Sequence, residues 1–298
     1  MLDSLSKTRS GMRMALGVAR ALPGRGAGML VPLVASRMMA DPASVLARAA
    51  RSNQYVVSGG TLTGPALEEA ARENVRNMGR FLYDLYHVLG NDAREEAIVV
   101  HDEAFEAFVE RERTDGPFVY VGVHLGNFDL VGRALGRAGW RMQVLSVPDP
   151  NGGYQWQNDV RAEMGFEVTP VSLESLRAAA RRLEAGGSVL TGLDRPMDEP
   201  DKVQPRFFGH PSPLPLLHVR LAMRAGVPVV PFTAPRMPDG RYRLLAADPI
   251  PLEGGRPTPE LLLANAERCL VPAERWIAEY PRQWAMPHIV WPDIEVPD

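Results

Sequence analysis

His124 and Asp129 lie five residues apart in Val119-Tyr120-Val121-Gly122-Val123-His124-Leu125-Gly126-Asn127-Phe128-Asp129. A carboxylate beside an imidazole orients the ring and raises its basicity. Such a pair takes a proton from a hydroxyl, which is general-base chemistry. Whether the two side chains meet depends on the backbone between them. In one continuous helix, residues five apart stand about 140° apart around the axis and share no face. A strand, a turn and a helix start remove that obstacle. Residues 118–123 form a β-branched and aromatic run suited to a buried strand. Gly126 and Asn127 are turn residues, and Asn127 is a good helix N-cap. Phe128, Leu130, Val131, Ala134 and Leu135 then follow helical spacing. His124 is therefore expected where a strand gives way to a turn. Asp129 is expected in a first helical turn, where the helix dipole favours its charge. From these residues alone two readings stand. One is a base with its orienter; the other is a partly buried histidine and an aspartate supporting a helix start.

The elements that would hold them read as an α/β fold. From residue 97 onward, strand patterns at 98–100, 118–123, 142–147, 166–170, 188–193, 227–234 and 242–250 alternate with helical patterns. Such alternation predicts a mostly parallel central sheet flanked by helices. Sites in such sheets lie at the carboxyl ends of strands. His124 is placed at one such end, and Asp194, after Val189-Leu190-Thr191-Gly192-Leu193, at another. The helical pattern over 258–280 is expected to kink or break near Pro272. Residues 1–96 read as an N-terminal helical region packed on the core formed by 97–298, the two making one integrated domain. Within the first part, residues 65–89 form a long helix with Arg72, Arg76 and Arg80 every four residues. That basic stripe is either a solvated face or a contact for an anionic ligand. Gly24-Arg25-Gly26-Ala27-Gly28 lacks a preceding strand and reads as an inter-helix turn, not a phosphate loop. The loop from Asp194 to Pro213 is long enough to cover a site.

Composition narrows the function classes. The 298 residues are 45% hydrophobic and 23% charged, with a net charge of −3. No global field recruits nucleic acid. One cysteine, Cys269, excludes an intrachain disulfide framework and a multi-cysteine zinc site. His101-Asp102-Glu103 reads as helix capping, and no metal is expected. Residues 1–39 carry six basic residues against the single acid Asp3, among many methionines and leucines. No stretch there reaches the roughly 20 apolar residues of a membrane-spanning helix. The segment suits either an anionic membrane surface or ordinary packing on a core.

The ordered set of motifs resembles a known family. His124-Leu125-Gly126-Asn127-Phe128-Asp129 resembles the H-x4-D/E motif of the lysophospholipid acyltransferase superfamily. Asn74-Val75-Arg76-Asn77-Met78-Gly79-Arg80-Phe81 is similar to the arginine-bearing helix of the lipid A late acyltransferases, and Gly192-Leu193-Asp194-Arg195 to their second acidic motif. Phe207-Phe208-Gly209, residues 225–232, residues 238–242 and Tyr280-Pro281-Arg282-Gln283-Trp284 through His288 and Trp291 complete the resemblance. The phosphatidylinositol mannoside acyltransferases share these features. Pro196 departs from the second motif, and Ile289-Val290 replaces a basic pair, which favours the glycolipid branch.

The resemblance implies an O-acyltransferase. It would move a fatty acyl chain from acyl-CoA or acyl carrier protein to a hydroxyl of a membrane glycolipid, with the thioester as co-substrate and no cofactor. His124 would be the general base and Asp129 its orienter. Asp194, Arg195, Asn127, Arg76 and Arg80 would serve substrate binding, with Asp194 holding either His124 or the acceptor and Arg195 or backbone N–H groups at the oxyanion. The protein would sit peripherally on the cytoplasmic face of the inner membrane. The alternative is a catalytically silent lipid- or carrier-binding protein on the same fold.

Overall fold

A computed structural model describes residues 9–22, 24–150, 152–197 and 203–297. The chain starts with helices α1 (Arg9–Ala21), α2 (Gly24–Met38), α3 (Val45–Val57), α4 (Gly64–Val88) and α5 (Asp92–Ala97). Ser44 caps α3 through its side chain, and Pro65 sits in the first turn of α4, where its missing N–H costs nothing. The α/β part follows as α6 (Glu103–Asp115), β1 (Val119–Gly126), α7 (Phe128–Arg137), β2 (Gln143–Ser146), α8 (Gly152–Ala162), β3 (Glu167–Pro170), α9 (Leu173–Glu184) and β4 (Val189–Gly192). A two-stranded hairpin, β5 (Arg206–Phe207) and β6 (His210–Pro211), precedes α10 (Leu217–Ala225), β7 (Val229–Ala234), β8 (Leu245–Ala246) and α11 (Pro259–Glu279).

Six strands form one sheet in the order β3-β2-β4-β1-β7-β8. All neighbours are parallel except the edge pair β7–β8. β1 is central, and Val119, Tyr120, Val121 and Val123 are fully buried, as a strand covered on both faces requires. One apolar cluster lies on each side. The first is built around Phe108, Tyr120, Trp140 and Phe232, the second around Val121, Leu125, Ile277, Trp284 and Trp291. The mostly parallel α/β architecture with a helical N-terminal region matches the expectation.

Local differences have physical causes. Residues 98–100 make one bridge to Tyr242 and no strand. The expected strand over 242–250 shrinks to β8, because Pro249 and Pro251 lack ladder donors. α10 begins at Leu217, after Pro213 and Pro215. α11 continues through Pro272 without a break: Leu270, Ala273, Trp276 and Ile277 are buried around it, and that packing outweighs one lost hydrogen bond. Gly24-Arg25-Gly26-Ala27-Gly28 is the start of α2 and not the expected turn. The sequence patterns do not announce helix α5, which Asn91 caps.

No helix among the described residues is long and apolar enough to cross a membrane. Met14 and Val18 on α1, Met29, Leu33 and Met38 on α2, and Val45 at the start of α3 expose their apolar side chains.

Candidate active site

The site forms where β1 outruns its neighbours. β1 pairs with β4 only as far as Gly122 and Gly192. On the other side its register with β7 shifts between Gly122 and Gly126. The backbone N–H of His124 therefore finds no strand partner and donates to the Asp194 carboxylate at 3.0 and 3.2 Å. Asp194 follows β4 by two residues, so ending one strand early delivers its carboxylate to the side of the next. The turn after His124 is equally constrained. Gly126 has φ +72°, and a Cβ there would lie 1.8 Å from the Ala234 carbonyl oxygen. Asn127 then caps α7 through Oδ1, and its amide donates to the Phe81 carbonyl at 2.8 Å.

Asp194 is fully buried and meets three N–H groups. Besides the His124 backbone, His124 Nδ1 lies 2.6 Å from Oδ1, and the Trp284 indole N–H donates to Oδ2 at 2.7 Å. Two of these are obligatory donors, which fits an acceptor-only carboxylate. The imidazole then carries its proton on Nδ1, and Nε2 is left with a free lone pair. Among the described residues no group bonds Nε2, and the His124 side chain is 24% exposed. A fixed ring, a buried carboxylate behind it and an open basic nitrogen in front can accept a proton from a bound hydroxyl.

Asp129 is not the carboxylate that holds this ring. Its oxygens face Arg161 on α8, Oδ1 at 2.7 Å from Nε and Oδ2 at 3.3 Å from Nη2. Phe128 lies between the two pairs. Its ring meets His124 edge-on at 5.2 Å, and the Arg161 guanidinium sits 5.6 Å from its centroid. The five-residue spacing therefore sends Asp129 to the far side of Phe128. Burial alone would lower the Arg161 pKa; the Asp129 carboxylate overrides it and holds the guanidinium above its ordinary value. Burial and, less strongly, the Asp129 charge push the Tyr86 phenol up.

The remaining sequence-predicted residues divide. Arg195 hydrogen-bonds the Tyr154 hydroxyl, with its guanidinium 5.0 Å from that ring's centroid. Arg76 pairs with Glu69 on the surface of α4, and Arg80 with the buried Asp84. Asn127 spends both ends of its amide on the protein. Asp102 caps α6, as expected.

Sequence reasoning places no role on Trp284 beyond membership in a terminal block. The structure brings that block to the site. Leu125 bridges Trp284, and the Ala285 N–H donates to the His124 carbonyl at 2.6 Å. Trp284 packs with Phe207 and Trp291, so residues far apart in sequence form one aromatic cluster behind Asp194. Amides from α3 and α4 hold the same segment. Asn74 donates to the Trp284 carbonyl at 2.7 Å, and Asn53 to the His288 carbonyl at 2.8 Å.

Residues 28–292 match the family described as bacterial lipid A biosynthesis acyltransferase. A search among curated proteins gives no match. The match spans most of the chain, and the chain belongs to this acyltransferase family.

Proposed function

We propose that this member of the lipid A biosynthesis acyltransferase family transfers a fatty acyl chain from acyl-CoA or acyl carrier protein to a hydroxyl of a membrane glycolipid, with His124 as general base. The observation that carries the reading is the 2.6 Å contact between His124 Nδ1 and buried Asp194, with Nε2 open. The acceptor hydroxyl gives its proton to Nε2 as its oxygen attacks the thioester carbonyl. The C–S bond breaks, and the thiolate leaves with the proton that Nε2 returns. Asp194 stabilises the imidazolium between those steps. Asp129 acts by clamping Arg161 across Phe128, which keeps α7 and α8 together beside the base. Arg195, next to Asp194 and braced on Tyr154, is the candidate to stabilise the oxyanion. Positioned base catalysis supplies roughly 10²–10⁴-fold, so orientation and oxyanion stabilisation supply the rest.

The N-terminal helices support the membrane side of this reading. Their exposed methionines and leucines, with basic residues between them, suit a peripheral seat on an anionic bilayer surface such as the cytoplasmic face of the inner membrane. The test is transfer of a labelled acyl group from each thioester to extracted membrane lipids. Glycolipid labelling that disappears in His124→Ala supports the reading, and labelling that persists in that variant overturns the catalytic assignment.

A further inference from the structure

Away from His124, four arginines wall a surface basin of about 430 Å³. Arg80 and His87 come from α4, Arg94 from α5, Arg236 from the segment after β7, and Asp239 and Arg241 from the turn that follows. Two of the arginines are set by a carboxylate beneath them. Asp84 is 3% exposed and accepts the Tyr242 hydroxyl at 2.7 Å. Arg80 and Arg236 reach it with their Nε atoms, at 2.8 and 3.3 Å. Among the described residues neither makes a second ion pair, so their terminal amino groups are left for another acceptor. Gly240 has φ +91°, and a Cβ there would stand 2.9 Å from the Arg236 guanidinium. The turn thus leaves room for that group.

Charge decides what fits. Asp84 offsets one of its two arginines, and Asp239 pairs with Arg241 at 2.8 Å. Arg94 makes no ion pair among the described residues. Two positive charges remain uncompensated. Guanidinium groups presented from several segments match the oxygens of a phosphate better than a single carboxylate. We propose that this basin binds a phosphate monoester or pyrophosphate group. His124 is not among the residues that line the basin, and the proposal does not rest on the acyl-transfer reading. Two sources carry such a group: a phosphorylated lipid headgroup, or a soluble phosphorylated ligand of the coenzyme A type. His87 ties the basin to α1 by its 2.8 Å contact with the Ala19 carbonyl, beside the exposed Val18.

Titration calorimetry of the full chain at low ionic strength, with inorganic pyrophosphate as the probe, tests the proposal. Saturable binding is expected, weakened about tenfold or more in Arg94→Gln and in Arg236→Gln. Arg94 is exposed and unpaired, so Arg94→Gln folds as the wild type does, and a matching melting temperature checks this. Arg72→Gln, on the exposed flank of α4, should bind normally. Coenzyme A in the calorimeter, and phosphatidylcholine vesicles with and without phosphatidic acid in a sedimentation assay, then separate the two sources. Loss of coenzyme A binding in Arg94→Gln assigns the soluble ligand. Loss of the phosphatidic acid dependence assigns the headgroup. Absence of pyrophosphate binding, or equal affinity in wild type and both basin variants, overturns the proposal.

Discussion

The indole N–H of Trp284 donates to Asp194 Oδ2 at 2.7 Å, on the carboxylate whose other oxygen lies 2.6 Å from His124 Nδ1. A residue near the C-terminus thereby fixes the carboxylate that holds the His124 ring. Trp284→Phe keeps an aromatic ring against Phe207 and Trp291 and removes only the donor. A hydrogen bond to a charged group is worth about 1.5–3 kcal/mol. The turnover number of acyl transfer is therefore expected to fall about 10- to 100-fold, with KM for the acyl donor nearly unchanged. Unchanged turnover would remove Trp284 from the proposed relay.

Asp194 and Asp129 should separate by coupling. Asp194→Asn offers the ring an amide in place of an acceptor-only carboxylate and disfavours the Nδ1–H tautomer. Acyl transfer is expected to drop by about 10³-fold or more, near the effect of His124→Ala, and the double variant should be no worse than either. Asp129→Asn should instead couple to Arg161→Gln. Removing one partner leaves the other charge half-buried and unpaired, so the double variant should recover part of the stability lost in Asp129→Asn. Denaturant titration of the four proteins measures this. A cycle with no coupling between Asp129 and Arg161 would show that the ion pair does not hold α7 to α8.

How far the sequence reaches depends on which forces each feature uses. The sheet and most helices are legible because period and punctuation report burial directly: the run 118–123 is a central strand, and Asn127 and Asp102 are N-caps. His124 and Asp194 are both legible as strand-end residues. Their mutual contact is legible only as one of two roles open to Asp194, because register decides it and sequence spacing does not carry register. The expectation for Asp129 comes from a local motif and misses Arg161, which lies on a different helix. Arg76 and Arg80 read as one stripe, yet one faces Glu69 and the other Asp84, since four-residue steps drift around the axis and meet different neighbours. Trp284 carries only compositional information until the fold bridges it to Leu125.

Gly126 offers a test of the turn that separates His124 from helix α7. Its φ of +72° disfavours any side chain, and the position of Ala234 forbids one outright, with 1.8 Å available to a Cβ. Gly126→Ala must move β7 or the turn itself. Loss of several kcal/mol is expected, seen as poor soluble yield and a melting temperature well below that of the wild type. Gly132→Ala, where a Cβ meets nothing within 4 Å in α7, should melt at or slightly above the wild-type temperature. Equal melting of wild type and Gly126→Ala would show that the turn relaxes freely.

Buried His218 predicts that the fold is sensitive to acid. It is 1% exposed on α10, and among the described residues neither ring nitrogen has a hydrogen-bond partner. Burial lowers its pKa from the ordinary 6.5 to about 4. The unfolded chain therefore binds a proton at a pH where the folded chain does not. Stability is fully present above about pH 6.5 and is lost as pH falls toward about 4, at up to ~1.4 kcal/mol per pH unit within that window. His218→Leu removes both the titration and two unpaired polar atoms. It should match or exceed wild-type stability at neutral pH, and its advantage should grow on acidification to pH about 4 and then level off. Urea unfolding of both proteins across that range measures the difference. A constant gap between the two curves would mean that His218 is not a group whose protonation destabilises the fold.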